Sequence, residues 1–241
     1  MANLLTEQAH GYPMTQTEQQ RRAYLQAMGI DVWLPRTAPD IDDTPVAIEG
    51  SEPMEPASDW DALQQRVAGC SRCELAQSRT QTVFGVGNRD ADWLIIGEAP
   101  GAEEDRRGEP FVGRAGQLLD QMLQAIGQSR ESVFIANILK CRPPNNRDPK
   151  PAEAAACRDY LRQQIDMVAP RIILAVGKIA AQNLLDSSDP VGRMRGHPHT
   201  LDGIPLVVTY HPAYLLRSPS QKKKAWSDLC LAAKLAAESK L

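Results

Sequence analysis

The sequence predicts an α/β protein built on a parallel sheet, and three observations predict it. Apolar runs of strand length alternate with helical patterns from about residue 60 onward. Each of four such runs gives way at its carboxyl end to Gly, Asn or His, the small and polar residues that line ligand sites of open parallel sheets. The chain has 241 residues, 42% hydrophobic and 24% charged, the composition of an ordinary folded protein, which excludes global disorder and a fibrous repeat.

Taken in order, residues 1–35 form a short segment of their own. Thr17 to Met28 has helical character with Tyr24, Leu25 and Met28 on one side, Gly29 is a plausible C-cap, and the apolar patch Ile30, Val32, Trp33, Leu34 follows. This piece cannot build a core by itself, so it is either a strap on the main domain or a docking peptide. Residues 36–58 are rich in Pro, Asp, Glu and Ser, lack an apolar period and read as an acidic flexible linker. Residues 59–241 form the main domain. Its candidate strands are Trp93 to Ile96, Val133 to Ala136, Ile172 to Val176 and Leu206 to Thr209, each short and apolar enough to be central. Between them Gly116 to Ile126, Ala152 to Val168 and Lys178 to Leu185 read as helices, and Gln221 to Ala237 closes the chain as another. The residues that follow the four strands are Gly97 to Gly101, Asn137, Gly177 and His211.

The net charge of -3 is unevenly placed. Residues 1–61 carry 3 Lys and Arg against 11 Asp and Glu, whereas residues 62–241 carry 24 against 19 and are mildly basic. That excess is compatible with a phosphate-tracking groove without demanding one. No apolar run approaches the roughly 20 residues that span a bilayer, and no basic region followed by an apolar stretch opens the chain. A cytoplasmic, monomeric protein without a membrane partner is expected.

Of the five cysteines, Cys70-x2-Cys73 forms a pair, Cys141 and Cys157 follow with 15 residues between them, and Cys230 lies near the end. A Cys-x2-Cys turn lets two thiolates converge on one metal centre. Disulfides are unlikely in the cytoplasm, so zinc, an iron-sulfur cluster and four unrelated buried thiols all stay open on spacing alone. Cys230 sits in an apolar helix and is expected to pack in the core.

The loop Gly97 to Gly101 lacks the Lys-Ser/Thr of a phosphate-binding loop and the spacing of a dinucleotide fingerprint. It reads as a turn that brings backbone and the Glu98 carboxylate close to a ligand, with a plain solvated turn as the bland alternative. The acidic group Glu103, Glu104, Asp105 follows. His211 at a strand end is by base rate a structural side chain. Beside it, Leu215 and Leu216 are expected to be exposed next to Arg217 and the run Lys222, Lys223, Lys224, and apolar wedges flanked by cations pry open stacked bases. His197-Pro198-His199 reads as a plain turn.

Four motifs in order carry a resemblance: Gly97-Glu98-Ala99-Pro100-Gly101, Gly108 to Gly116 with Pro110-Phe111-Val112-Gly113 at its centre, Asn137 to Pro144 with Lys140-Cys141-Arg142, and His211-Pro212-Ala213 with Leu215-Leu216-Arg217. Together they resemble a family 4 uracil-DNA glycosylase over about residues 60–238. The resemblance implies a three-layer α/β/α fold around a four-stranded parallel sheet. It makes Cys70, Cys73, Cys141 and Cys157 the ligands of a [4Fe-4S] cluster and uracil-containing DNA the substrate. It has Phe111 stack on an extruded uracil, Asn137 read uracil O4 and N3–H against cytosine, His211 donate to O2, and backbone around Ala99 and Gly101 complete the pocket. Ala99 stands where the wider superfamily often places a water-activating Asp, which leaves Glu98 as the nearest carboxylate for water. No Lys- and Arg-rich insertion ending in His follows the Phe111 helix, so hydrolysis is expected rather than a covalent bond to the sugar.

The N-terminal segment lies outside that resemblance. Leu25, Met28-Gly29-Ile30, Trp33, Leu34 and Pro35-Arg36 are similar to the N-terminal peptide of the psi subunit of the bacterial clamp-loader assembly. This implies the chi subunit as a partner through residues 20–36, and an alternative function as a replication adaptor with a glycosylase-like scaffold.

Overall fold

The computed structural model describes residues 56–57 and 59–238. The docking segment expected over residues 1–35 and nearly all of the expected linker lie outside the described residues. Ala57 already packs on the core, its N–H donating to Gln163 Oε1 at 2.9 Å.

The elements are helix α1 (Trp60–Ala68), strands β1 (Val86–Gly87) and β2 (Trp93–Gly97), helices α2 (Ala102–Arg107) and α3 (Arg114–Gln124), strand β3 (Phe134–Asn137), helix α4 (Pro151–Val168), strand β4 (Ile172–Val176), helices α5 (Lys178–Leu184) and α6 (Val191–Met194), strands β5 (Pro198–Leu201) and β6 (Ile204–Thr209), and helices α7 (Pro212–Arg217) and α8 (Lys222–Glu238). The four strands read from the sequence are β2, β3, β4 and β6, and the four helices are α3, α4, α5 and α8, each within two residues of expectation at both ends.

The sheet has six strands in the order β1-β3-β2-β4-β6-β5. Its centre is the expected parallel four, β3-β2-β4-β6. The correction is at the edges, where β1 and β5 add antiparallel strands. β1 is two residues long and leaves no period to read. β5 and β6 form a hairpin across Asp202-Gly203, both at positive φ (48° and 85°), the Asp-Gly signature of a two-residue turn. His197-Pro198-His199 therefore enters a strand rather than a turn, and His199 Nε2 lies 2.6 Å from the Met194 carbonyl.

Side-chain alternation sorts the core into two halves, one on each face of the sheet. Leu94, Ile96, Ile173, Ala175, Leu206 and Val208 pack under α1, α4 and α5. Ile95, Ile135, Ile172, Leu174, Val176 and Val207 pack under α3 and α8. The expected three layers follow. Because chain order places β3 on one side of β2 and β4 on the other, the strand order reverses beside β2. The crevice beyond the carboxyl ends of β2 and β4 is the position such sheets use for ligands.

Candidate active site and thiol nest

At that crevice lies a cavity of about 860 Å³, lined by Glu98, Ala99 and Gly101 after β2, Phe111, Asn137 at the end of β3, Gly177 and Lys178 after β4, and Tyr210, His211, Tyr214 and Arg217 after β6. The residues predicted for catalysis and base recognition are thus brought together from the ends of β2, β3 and β6 and from the Phe111 loop before α3, and the end of β4 adds Gly177 and Lys178 to the wall. Asn146, Arg147 and Asp148 complete the rim and carried no signal in the sequence.

Asn137 is 2% exposed, and its Oδ1 is buried without a hydrogen-bond partner. An unsatisfied acceptor in that setting costs about 1–3 kcal/mol, so the site holds an acceptor that a ligand N–H would satisfy. The register places Gly97 opposite Asn137. A β carbon on Gly97 would lie 2.4 Å from Asn137 Oδ1 and 2.5 Å from Phe111 Cζ, so only glycine lets both side chains enter the pocket floor.

Phe111 has φ 55°, a strained conformation for an aromatic residue. Its neighbours hold it there. Arg130 donates from Nη2 to the Pro110 carbonyl at 2.7 Å and from Nη1 to the Phe111 carbonyl at 3.2 Å and to Asp120 at 3.1 Å. Gly116 makes room, since a β carbon there would sit 1.7 Å from the Phe111 oxygen. Glu104 ties this loop to the next: Oε2 accepts from the Gly101 N–H at 3.1 Å, and Oε1 accepts from the Val112 N–H at 3.0 Å. The Gly101 amide, expected to face the ligand, is therefore engaged by Glu104. The sequence reading gives Glu104 no role beyond its place in the acidic group Glu103, Glu104, Asp105, although Glu three residues after Gly101 is the spacing of a capping box. Arg130 left no local signal.

The His211 ring stacks near Phe111, centroids 5.6 Å apart and planes inclined by 28°. Its Nδ1 accepts the Ala213 N–H at 3.1 Å at the start of α7. Burial lowers its pKa to about 4, and Arg217 acts the same way. The ring is then neutral near pH 7, with Nδ1 as acceptor and Nε2 carrying the proton. Glu98 moves in the opposite direction. Burial raises its pKa to about 7, Asp148 adds to the rise, and Lys178 opposes it.

Beyond the pocket, Leu215 is 1% exposed and belongs to the α3–α8 half of the core. The expectation that it is an exposed wedge is corrected: on α7 the i and i+1 positions face different ways, and Leu216, at 37% exposure, is the leucine that meets solvent. Lys222, Lys223 and Lys224 are exposed at the start of α8. Cys230 is exposed too, contrary to expectation, because α8 buries the stripe Ala225, Leu229, Ala232, Ala236 and turns Cys230 outward.

The other four cysteines meet on the opposite face of the sheet. Cys141 and Cys157 are buried members of the α1–α4 half of the core, and Cys70 and Cys73 pack against it. Cys141 lies within electrostatic reach of Cys70 and Cys73, and Cys157 within reach of Cys141 and Cys73. Arg79 donates from Nη1 to Cys141 Sγ at 3.1 Å, and the Lys140 backbone N–H donates to Cys157. Burial pushes the Cys157 thiol up to about 12 and raises Cys141, which is the reverse of a nucleophilic cysteine. None of the four forms a disulfide. Among the described residues no group of three or more His, Cys, Asp or Glu is already gathered as a metal-ion site. Among the same residues no helix is long and apolar enough to cross a membrane.

Residues 84–231 match the sequence pattern of the Uracil DNA glycosylase superfamily. The chain is 41% identical over 176 residues to a type-4 uracil-DNA glycosylase of Archaeoglobus fulgidus, covering 70% of this chain and 88% of that protein. It is 44% identical over 162 residues to a type-4 uracil-DNA glycosylase of Thermotoga maritima, covering 66% and 84%. A type-5 uracil-DNA glycosylase of Thermus thermophilus is 30% identical over 172 residues, covering 62% and 78%. With a pocket assembled from the ends of four parallel strands and a four-cysteine nest in the α1–α4 half of the core, the chain belongs to the type-4 uracil-DNA glycosylase family.

Proposed function

We propose that the chain hydrolyses the N-glycosidic bond of deoxyuridine extruded from DNA, as the uracil-DNA glycosylase of a base excision repair pathway. The observation that carries this reading is the buried, unpartnered Asn137 Oδ1 at the floor of the cavity. Uracil presents an N–H at N3 and a carbonyl at O4, so one fixed amide accepts the first and donates to the second. Cytosine presents an acceptor at N3 and an amino group at C4, leaving both amide atoms mismatched in a buried site.

The same reading assigns the remaining roles. Phe111, locked by Arg130 and Glu104, offers a ring face for the base. Neutral His211 directs Nε2–H toward O2, where negative charge grows as the base leaves and the sugar takes oxocarbenium character. A neutral donor gains strength as that charge develops, so it favours the transition state over the bound substrate. Glu98, partly desolvated, orients the attacking water and accepts its proton when ionised. Ala99 and Gly101 form the backbone wall. Arg217, Lys222, Lys223 and Lys224 contact phosphates, and Leu216 enters the stack vacated by the extruded base.

Cys70, Cys73, Cys141 and Cys157 would hold a [4Fe-4S] cluster. The donor set fits: four thiols within electrostatic reach of one another on one part of the core, and a guanidinium on Cys141 Sγ. Bound there, the cluster would cross-link the Cys70 turn, the segment after β3 and helix α4, a structural rather than hydrolytic role. Its setting, and four cysteines left free of disulfides, accord with a cytoplasmic site of action. The chi-subunit partner expected through residues 20–36 falls outside the described residues. Release of uracil from oligonucleotides by the purified chain, and its loss in Asn137→Ala, tests the reading.

A further inference from the structure

Lys140 is the only buried Lys or Arg among the described residues, 1% exposed. Its Nζ donates to the Asn137 carbonyl at 2.9 Å and to Gln164 Oε1 at 2.6 Å, and Gln164, itself fully buried, donates from Nε2 to the Phe84 carbonyl at 2.9 Å. These partners satisfy hydrogen bonds and are all neutral. A buried ammonium without an opposite charge is strongly disfavoured. Among the described residues no carboxylate compensates it, and the ionisable groups that act on it are Cys157 and Cys141. Lys140 meets that same pair along its backbone as well, through its own N–H to Cys157 and its peptide bond to Cys141.

We infer that Lys140 is the counter-ion of the thiolate-ligated cluster and couples the cluster to the uracil-reading Asn137. The inference rests on the cluster reading above. Four thiolates around an iron-sulfur core leave a net negative group inside the protein, and a fixed ammonium beside two of its ligands supplies the compensation that water cannot. The other end of the same ammonium holds the backbone carbonyl of Asn137. Lys140 is thus a positioning residue. A mere staple between Asn137 and Gln164 would need the hydrogen bonds but not the charge, and the two roles separate in the electron affinity of the cluster.

The test is the midpoint potential of the iron-loaded protein in wild type, Lys140→Met and Gln164→Glu. Removing the positive charge, or placing a carboxylate against it, disfavours adding an electron, so both potentials should move downward. Lys140→Met should also lose iron to a chelator at least tenfold faster than wild type. If Lys140→Met keeps its circular dichroism but loads no iron, the potential of Gln164→Glu decides between the two roles. If Lys140→Met does not fold, Gln164→Glu carries the test, because it preserves size and leaves Lys140 in place. A wild-type potential in either loaded variant overturns the counter-ion role alone. Wild-type protein that binds no iron overturns the cluster reading and this inference together.

Discussion

Gly97 and Asn137 face one another at the ends of adjacent parallel strands, so close that a β carbon on Gly97 would fall 2.4 Å from Asn137 Oδ1. The same atom would lie 2.5 Å from the Phe111 ring. A methyl group at one strand end therefore disturbs both the base-reading amide and the stacking ring. Gly97→Ala should lower uracil excision by at least tenfold, about 1.4 kcal/mol of transition-state stabilisation, while the protein still melts cooperatively. Single-turnover excision beside a thermal melt checks this, and wild-type excision would show that the floor yields.

The two titrating groups of the pocket make separable predictions. Excision should rise with pH through about 7 as Glu98 ionises, and Glu98→Gln should lose most of the activity together with this limb. His211, held neutral by burial, should add no limb between pH 5 and 9. Stability follows the Glu98 shift with a definite sign. The folded state binds the proton more tightly than the unfolded chain, so the contribution of Glu98 is present in full at pH below about 4.5 and is lost as pH rises through about 7. Glu98→Gln should therefore gain melting temperature relative to wild type at pH 8 and not at pH 4.

Arg130 touches no substrate in this account and should matter through Phe111. Arg130→Met removes the clamp on the Pro110 and Phe111 carbonyls and releases a residue held at φ 55°. Excision should fall several-fold, and Arg130→Lys should restore only part of it, because one ammonium cannot reproduce a fork that grips two carbonyls and Asp120. Full activity in Arg130→Met would mean that Phe111 is held without it.

DNA grip divides between charge and wedge. Replacing Lys222, Lys223 and Lys224 with Gln should reduce the slope of log affinity against log salt by up to about 3. Leu216→Ala should impair excision from duplex more than from single strands, since only the duplex has a stack to refill. Equal losses on both substrates would remove Leu216 from that role. Leu215→Ala should instead lower stability by about 2–5 kcal/mol, as expected of a leucine in the core.

The parts of this molecule that were legible in the sequence are those governed by hydropathy period and by short motifs. Strand β4 is a five-residue apolar run and was read to the residue. The residues following β2, β3 and β6 were identified because an open parallel sheet gathers its strand ends. The edge strands were missed for different reasons: β1 has two residues, whereas β5 announced itself only through Asp202-Gly203. Leu215 and Cys230 were misplaced because helix phase decides exposure, and a six-residue helix or an apolar-rich one does not declare its phase. Arg130 and Lys140 act through partners 10 to 24 residues away as well as nearer ones, and contacts at that separation exist only once the chain is folded.

The central claim is that the four strand ends form a uracil-excising pocket, and the most direct measurement is alkaline scission of a labelled oligonucleotide carrying one uracil after incubation with the purified chain. Scission should occur at the uracil and not at a cytosine in the same position. Asn137→Ala and His211→Ala should each cut excision by at least tenfold while binding to abasic DNA is kept. Absence of scission by the folded wild-type protein, or undiminished scission by both variants, would contradict the central claim.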